Sequence, residues 1–330
     1  MNVRKLPRFL IAVVLFYIII EILYKTEVLN GYLLHIINLS LIYVILATSL
    51  NLINGITGQF SLGHMGFAAV GAYVSGSLTT LILKLSVTNP ASMLPFLLSI
   101  IAGGVVAAFI GFLIGFPSLR LKGDYLAIVT LGFGEIIRTI FNNIDAVGGP
   151  RGLLGIPKFS NFTVILIAAF LTVVIIRNLI ESSHGRAMLS IRENELAAEL
   201  VGINTTRYKV MAFTFGAFFA GIAGGLLAHL IQLAHPTQFG FIKSVEVLIM
   251  IYAGGIGSLT GSILAAFGLT FLSEGLRLGI RALADTTGLP IGGEWRMVVY
   301  ALLLIFIMLF RNEGLMGMRE SRIIKNVEVD

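Results

Sequence analysis

Cysteine is absent from this chain, which excludes disulfides, thiolate nucleophiles and cysteine-ligated metals. Charge is scarce as well. Only 12% of the residues are Asp, Glu, Lys or Arg, about half the roughly 25% of ordinary soluble domains. The pattern Gly-x4-Gly-Lys-Ser/Thr occurs nowhere, so the chain cannot hydrolyse ATP through a P-loop of its own. Neither a zinc-binding His-Glu-x-x-His nor a Gly-x-Ser-x-Gly elbow is present, and no convergent catalytic set emerges in their place. No catalytic residue, cofactor site or metal site is expected.

What remains is apolar. Hydrophobic residues make up 57% of the 330, more than one soluble core of this size can hide. A lipid hydrocarbon core takes about 20 apolar residues per helical crossing. Segments 9–24, 33–53, 93–116, 161–180, 208–233, 244–272 and 296–310 meet that need. The expected fold is therefore an all-α, polytopic membrane protein, a single domain over 1–330. Glycine is abundant, at 37 residues. Gly103, Ala107, Gly111 and Gly115 form one small-residue stripe, and Gly216, Ala220, Gly224 and Ala228 form another. Such stripes are seams where helices pack closely in lipid.

The net charge of +6 reads as topology rather than nucleic-acid binding, because basic loops stay on the cytoplasmic side. Arg4, Lys5 and Arg8 place the N-terminus inside, and Arg311, Arg319, Arg322 and Lys325 place the C-terminus there. Glu21, Tyr24 and Lys25 follow the first apolar run without a small-residue cleavage site, so that run is expected to remain as a span. Arg120 and Lys122 mark a second inside loop, and the polar stretch from Arg177 to Lys209 a third.

Two inside termini require an even number of crossings. Ten are expected, with eight as the fallback. Three stretches are ambiguous: the glycine- and serine-rich 58–83, 124–142, and 244–283, which Gly254-Gly255-Ile256-Gly257-Ser258 interrupts; eight crossings result if 58–83 or the glycine break is re-entrant. Non-helical backbone at membrane depth survives only where protein or a water-filled cavity covers it. The loop 143–160, with Gly148-Gly149-Pro150-Arg151-Gly152, carries turn chemistry and belongs outside.

The loop 182–207 is the most informative feature. Met188 to Val201 forms a helix outside the membrane, and Gly202 follows as a C-cap. Leu189, Leu196 and Leu200 gather on one side, with Arg192, Glu195 and Glu199 close by. The residues alone leave two readings open. The helix docks into a groove on another protein, or it lies in the membrane interface.

Ala197-Ala198, three further residues and Gly202 resemble the "EAA" loop of permease subunits in ATP-binding-cassette importers. Leu196 stands where that family has glutamate, with Glu195 just before it, and the downstream proline element is missing. Other segments resemble one branch, the LivM-like permease subunits of branched-chain amino-acid importers. These are Leu50–Gly55 with Gly58–His64, Leu119–Tyr125, Thr130–Arg138, Ile191–Glu195, Glu246–Leu248 and Gly254–Ser258. The family's C-terminal Arg-Pro-x-Gly-Leu-x-Gly appears as Arg311 to Gly317, with Asn312 in place of proline. The resemblance runs from about residue 40 to 317.

It implies a transport subunit that is not an enzyme, in the plasma membrane of a prokaryote. It implies as partners a second, similar permease, two cytoplasmic ATP-binding subunits and an external solute-binding protein. It gives ATPase coupling to Arg192, Glu195, Ala197, Ala198, Glu199 and Gly202. Urea or a short amide carried by the same machinery is an alternative cargo. A secondary transporter is an alternative mechanism, one that would call for an inverted repeat or a buried ion site.

Polar residues within the spans are the candidates for a translocation path: Asn51, Asn54, Gln59, His64, Glu135 and Arg138. Buried ionisable groups are costly and face a partner, a cavity or the bundle interior. Glu135 and Arg138, at i and i+3, either pair with each other or meet a zwitterionic solute. His64 has no second ligand at metal spacing, which favours a packed histidine. Glu246 and the stripe Glu274, Arg277 and Arg281 are expected to pair near span ends.

Overall fold

In a medium without water a backbone must satisfy its own N–H and C=O groups, so long apolar runs become helices. The computed structural model describes residues 6–118 and 123–287, together with 302, 305 and 314–317. The expected span at 296–310 falls almost wholly outside them, as do Arg4, Lys5, Arg120, Lys122, Arg311, Arg319, Arg322 and Lys325. The α-helices are α1 (Leu6–Lys25), α2 (Gly31–Asn51), α3 (His64–Ser77), α4 (Met93–Ser118), α5 (Asp124–Asn142) and α6 (Phe162–Glu181). After them come α7 (Ser183–Glu193), α8 (Glu195–Leu200), α9 (Thr205–Ile231), α10 (Phe241–Gly254) and α11 (Leu259–Thr287). Strands β1 (Leu153–Leu154) and β2 (Leu233–Ala234) pair antiparallel.

Among the described residues, six helical segments are long and apolar enough to cross a membrane: 31–56, 64–82, 90–117, 162–181, 205–231 and 259–280. The chain is thus an all-α polytopic membrane protein. Helix α1 turns Leu10, Ile11, Val14, Leu15 and Ile18 outward, as a lipid-facing helix does. Helix α5 carries Asp124, Glu135 and Arg138, and α10 has only 14 residues; neither meets the criterion.

Small residues set the packing, because lipid supplies no hydrophobic drive between helices. Both expected stripes are seams. A Cβ at Gly224 would stand 1.9 Å from the Ala68 carbonyl oxygen of α3, and one at Gly103 would stand 2.8 Å from that of Gly71. A Cβ at Gly111 would meet Ala217 at 2.4 Å, and one at Gly216 would meet Ile53 at 2.5 Å. Helices α3, α4 and α9 are therefore in backbone contact along much of their length.

Of the uncertain stretches, 58–83 is a non-helical lead-in followed by the helical segment 64–82, and 244–283 is a broken helix. Helix α2 continues as a π-helical turn, Leu52–Ile56. The chain then reverses through 57–63, non-helical and mostly buried, before α3 starts. His64 Nε2 lies 2.9 Å from Ser49 Oγ, so α3 begins about 10 Å back from the tip of the π-turn, at 1.5 Å per residue. Helix α10 begins at the same depth, since the Met65 N–H donates to Ser244 Oγ at 3.4 Å. The run 244–283 breaks at the expected glycines, where α10 ends and α11 starts. There a Cβ at Gly254 would stand 2.3 Å from the Gly261 carbonyl oxygen. The C-terminal turn closes this corner, with Leu315 N–H donating to Ala253 O and Met316 N–H to Gly254 O.

The bundle has two distinct ends. The β1–β2 pair gathers the loop 143–160 and the C-terminal end of α9 at one. The 20-residue α6 separates that end from the other, where α7 and α8 lie.

Candidate functional site

A helix of six residues does not hold itself together in water, so α8 must be seated by its neighbours. The run Met188–Val201 forms two helices rather than the expected one. Asn194, extended at φ −157°, breaks the run and accepts from the Ala197 N–H through its side chain at 3.1 Å. An N-cap asparagine thus opens α8, because its short amide satisfies an otherwise unpaired backbone donor. At the other end Gly202 lies at φ +87°, with Gly202 N–H donating to Glu199 O and Ile203 N–H to Ala198 O. This is a Schellman cap with glycine at its left-handed position. Gly202→Ala should cost roughly 1 kcal/mol, read as a lower melting temperature of the purified protein with the helical circular dichroism signal retained.

The inner face of α8 is tied to α9. Glu195 Oε1 accepts from Lys209 Nζ at 2.7 Å, and that lysine side chain is only 2% exposed. Glu199 Oε1 accepts from Thr205 Oγ1 at 2.8 Å. Ala198 is buried between these contacts, while Ala197 faces out. On the outer face Leu196 is 66% and Leu200 89% exposed, with Val201 beside them. Leu189 does not join them in full exposure, because it belongs to α7 beyond the Asn194 corner and packs partly against the core. Sequence spacing gave no sign of Lys209, since no helical periodicity links it to Glu195; the pairing is purely tertiary.

Arg192, the last basic residue of α7, points inward. Its Nη1 donates to the Gly55 carbonyl oxygen at 2.8 Å, within the π-turn of α2, and its Nη2 pairs with Glu193 at 2.7 Å. The absence of a side chain at Gly58 and Gly257 makes room for it: Cβ atoms there would meet Arg192 Cγ at 2.8 Å and Nη1 at 2.9 Å. One guanidinium therefore joins the α7–α8 corner, the α2 break and the α10–α11 turn.

The candidate path residues divide into two groups. Asn51 donates to Ser258 O and Ser262 Oγ, both at 3.0 Å, and accepts from Gly257 N–H at 2.9 Å; it fixes the α10–α11 turn. Asn54 bonds both the N–H and the carbonyl of Ser61, and Gln59 donates to Thr57 O; these close the 57–63 reversal. His64 is buried against Ser49 and edge-on to Phe67. The second group is Glu135 and Arg138. They pair at 2.7 Å, and the other carboxylate oxygen accepts the first N–H of α10, that of Phe241, at 3.0 Å. An anion there suits a helix N-terminus.

The sequence profile described as branched-chain amino acid transport system / permease component matches residues 32–308. The high-affinity branched-chain amino acid transport system permease protein LivM of Salmonella typhimurium is 35% identical over 323 residues, covering 87% of this chain and 71% of that one. LivH from the same organism, of the same description, is 26% identical over 298 residues, covering 84% and 92%. A solved structure, PsaBC from Streptococcus pneumoniae in complex with Fab, aligns at 16% identity and TM-score 0.42 over 88% of this chain and 94% of that one, a likeness too distant to carry weight.

Proposed function

Because this chain belongs to the family of branched-chain amino acid transport system permease components, we infer that it is the membrane-spanning permease subunit of an ATP-driven importer of branched-chain amino acids. The seating of α8 is the observation that carries this reading. A short helix held by Glu195–Lys209 and Glu199–Thr205 presents Leu196, Leu200 and Val201 outward at one end of the bundle. An exposed apolar patch on a fixed helix suits insertion into a groove on a partner protein.

In this reading the whole chain is one permease domain, with 182–207 as its coupling loop. A second permease completes the path, and two ATP-binding subunits lie beneath, one of them receiving α8. A solute-binding protein delivers cargo to the opposite end. The α7–α8 end and both termini then face the cytoplasm of a prokaryote. Movement of α8 on ATP binding would reach the α2 break through Arg192 and Gly55 and shift the balance between inward- and outward-open packing. Asn51, Asn54, Gln59 and His64 serve the path by holding its broken-helix wall, and Glu135 with Arg138 by fixing the start of α10.

The test is a double substitution, Leu196→Asp with Leu200→Asp, in the complete transporter. Both side chains point away from the fold, so the permease should insert and melt as before. Loss of a buried apolar anchor at an interface costs about 2 kcal/mol or more, roughly a thirtyfold loss of binding. The ATP-binding subunit should therefore be lost on purification, and ATP-driven leucine uptake into proteoliposomes should stop. Full uptake by the double variant, or uptake driven by an ion gradient without any ATPase, sinks the reading. Ala198→Asp would be a poor substitute, because that residue is buried under α8 and the change would unseat the helix.

A further inference from the structure

A cavity of about 220 Å³ lies among α2, α9, α10 and α11, away from α8. Its lining follows helical periodicity on each element. Helix α2 gives Leu39, Ile42, Tyr43 and Leu46, and α10 gives Lys243, Glu246 and Met250. Leu227 of α9 and Leu269 of α11 extend the apolar wall, and Met65 contributes the first turn of α3. The volume is below the roughly 300–1,000 Å³ of pockets for drug-sized ligands, which sizes it for a small solute.

Its chemistry is two-sided. Lys243 Nζ and Glu246 Oε2 pair at 2.7 Å on the cavity wall, with side chains 37% and 23% exposed, and Tyr43 lies against both. Sequence position alone suggests that Glu246 merely pairs at a span end. A pair facing a cavity between helices of a membrane bundle is a different object, since ionisable groups that line such a cavity point to a solute path. The other ion pair at this cavity is committed elsewhere: Glu274 pairs with Arg277 at 2.7 Å and accepts from Tyr32 OH. Lys243 sits in the first turn of α10, beside the first turn of α3; the leading N–H of α10 is already taken by Glu135, so the positive charge offered to the cavity is that of the lysine itself.

We propose that this cavity is a substrate site for an aliphatic α-amino acid, with Lys243 taking the carboxylate, Glu246 the ammonium, and Leu39, Ile42, Leu46 and Leu269 the branched side chain. The proposal rests on the importer reading and names where in this chain the cargo is held. An arriving zwitterion exchanges one ion pair for two of the same sign pattern, so neither charge loses its partner. The apolar wall then discriminates by size, at roughly tenfold or more per methylene.

The complete transporter, reconstituted with its binding protein, is assayed for ATP-driven uptake of L-leucine and L-valine. Lys243→Met and Glu246→Gln should each cut uptake of both at least tenfold. Leu269→Phe, which narrows the apolar end, should lower leucine uptake about tenfold more than valine uptake. That ratio separates a site from a folding defect, because a misfolded permease loses both solutes equally. An unchanged leucine-to-valine ratio in Leu269→Phe, or wild-type rates in both charge variants, overturns the site while the importer reading stands. Failure of the wild-type transporter to take up either amino acid removes the importer reading, and the site with it.

Discussion

Gly224→Val should leave a permease that inserts poorly and melts far below the wild type, whereas Gly132→Ala should be almost silent. The two positions contain the same residue type in helices of the same bundle, and the difference lies in what a Cβ would meet. At Gly132 nothing lies within 4 Å. At Gly224 the added carbon would be 1.9 Å from the Ala68 carbonyl oxygen and 2.8 Å from its Cα. Those atoms are backbone, so no rotamer change relieves the contact and α3 must move off α9. Ordinary overpacking costs roughly 1–3 kcal/mol. Here the cost exceeds that range, because separating the helices also loses the close van der Waals contact that holds membrane helices together. The neighbouring seams at Gly71 and Gly221 open with it, since a Cβ at Gly71 would already stand 1.9 Å from the Gly221 carbonyl oxygen. Fluorescence-detected melting of both variants in the same detergent decides the matter. Equal melting temperatures would mean that the seam yields and that backbone contact does not set this fold.

How much of this was legible in the sequence depends on the range of the interaction. The apolar runs gave the all-α membrane class, and the four-residue glycine stripes marked seam faces on α4 and α9, because both signals are periodic along a single helix; that α3 is their shared partner came only with the structure. The glycine break at 254–258 was also legible, as was the cap at Gly202. Where two signals compete over a few residues the reading failed. Met188 to Val201 has helical periodicity throughout, yet Asn194 caps a new helix inside it, because an asparagine side chain offers the backbone N–H an alternative partner. The depth of the 57–63 reversal was illegible for another reason. The polar residues in it and in the turn before it look like a path lining, and only the tertiary structure shows Asn51, Asn54 and Gln59 bonded to the backbone they hold in place. Glu246 was read as pairing near a span end, but its partner Lys243 was not picked out, and no spacing tells a cavity wall from a surface. The transport class came from motif resemblance rather than from helix pattern or packing, and the relatives bear it out.

The second large effect concerns the seat of α8. Glu195→Ala should destabilise the α8–α9 corner by about 3 kcal/mol, within the range for removing one partner of a buried ion pair. The expected loss comes from Lys209, whose ammonium is left in a site only 2% exposed. Replacing the lysine as well, Glu195→Ala with Lys209→Met, removes the uncompensated charge, and a methionine fills much of the lysine stem's volume. The double variant should therefore recover most of the stability, a strong positive coupling in a double-mutant cycle. Function should not recover in parallel. In the double variant α8 keeps its Asn194 cap, Ala198 and the Glu199–Thr205 bond, but it is no longer tied to α9 by the short charged contact. Stability near the wild type with leucine uptake still reduced severalfold would show that the pair transmits motion from α8 to the spans. Uptake that follows stability variant by variant would instead make Glu195 and Lys209 structural alone, and transmission would then fall to Arg192 and its hold on the Gly55 carbonyl.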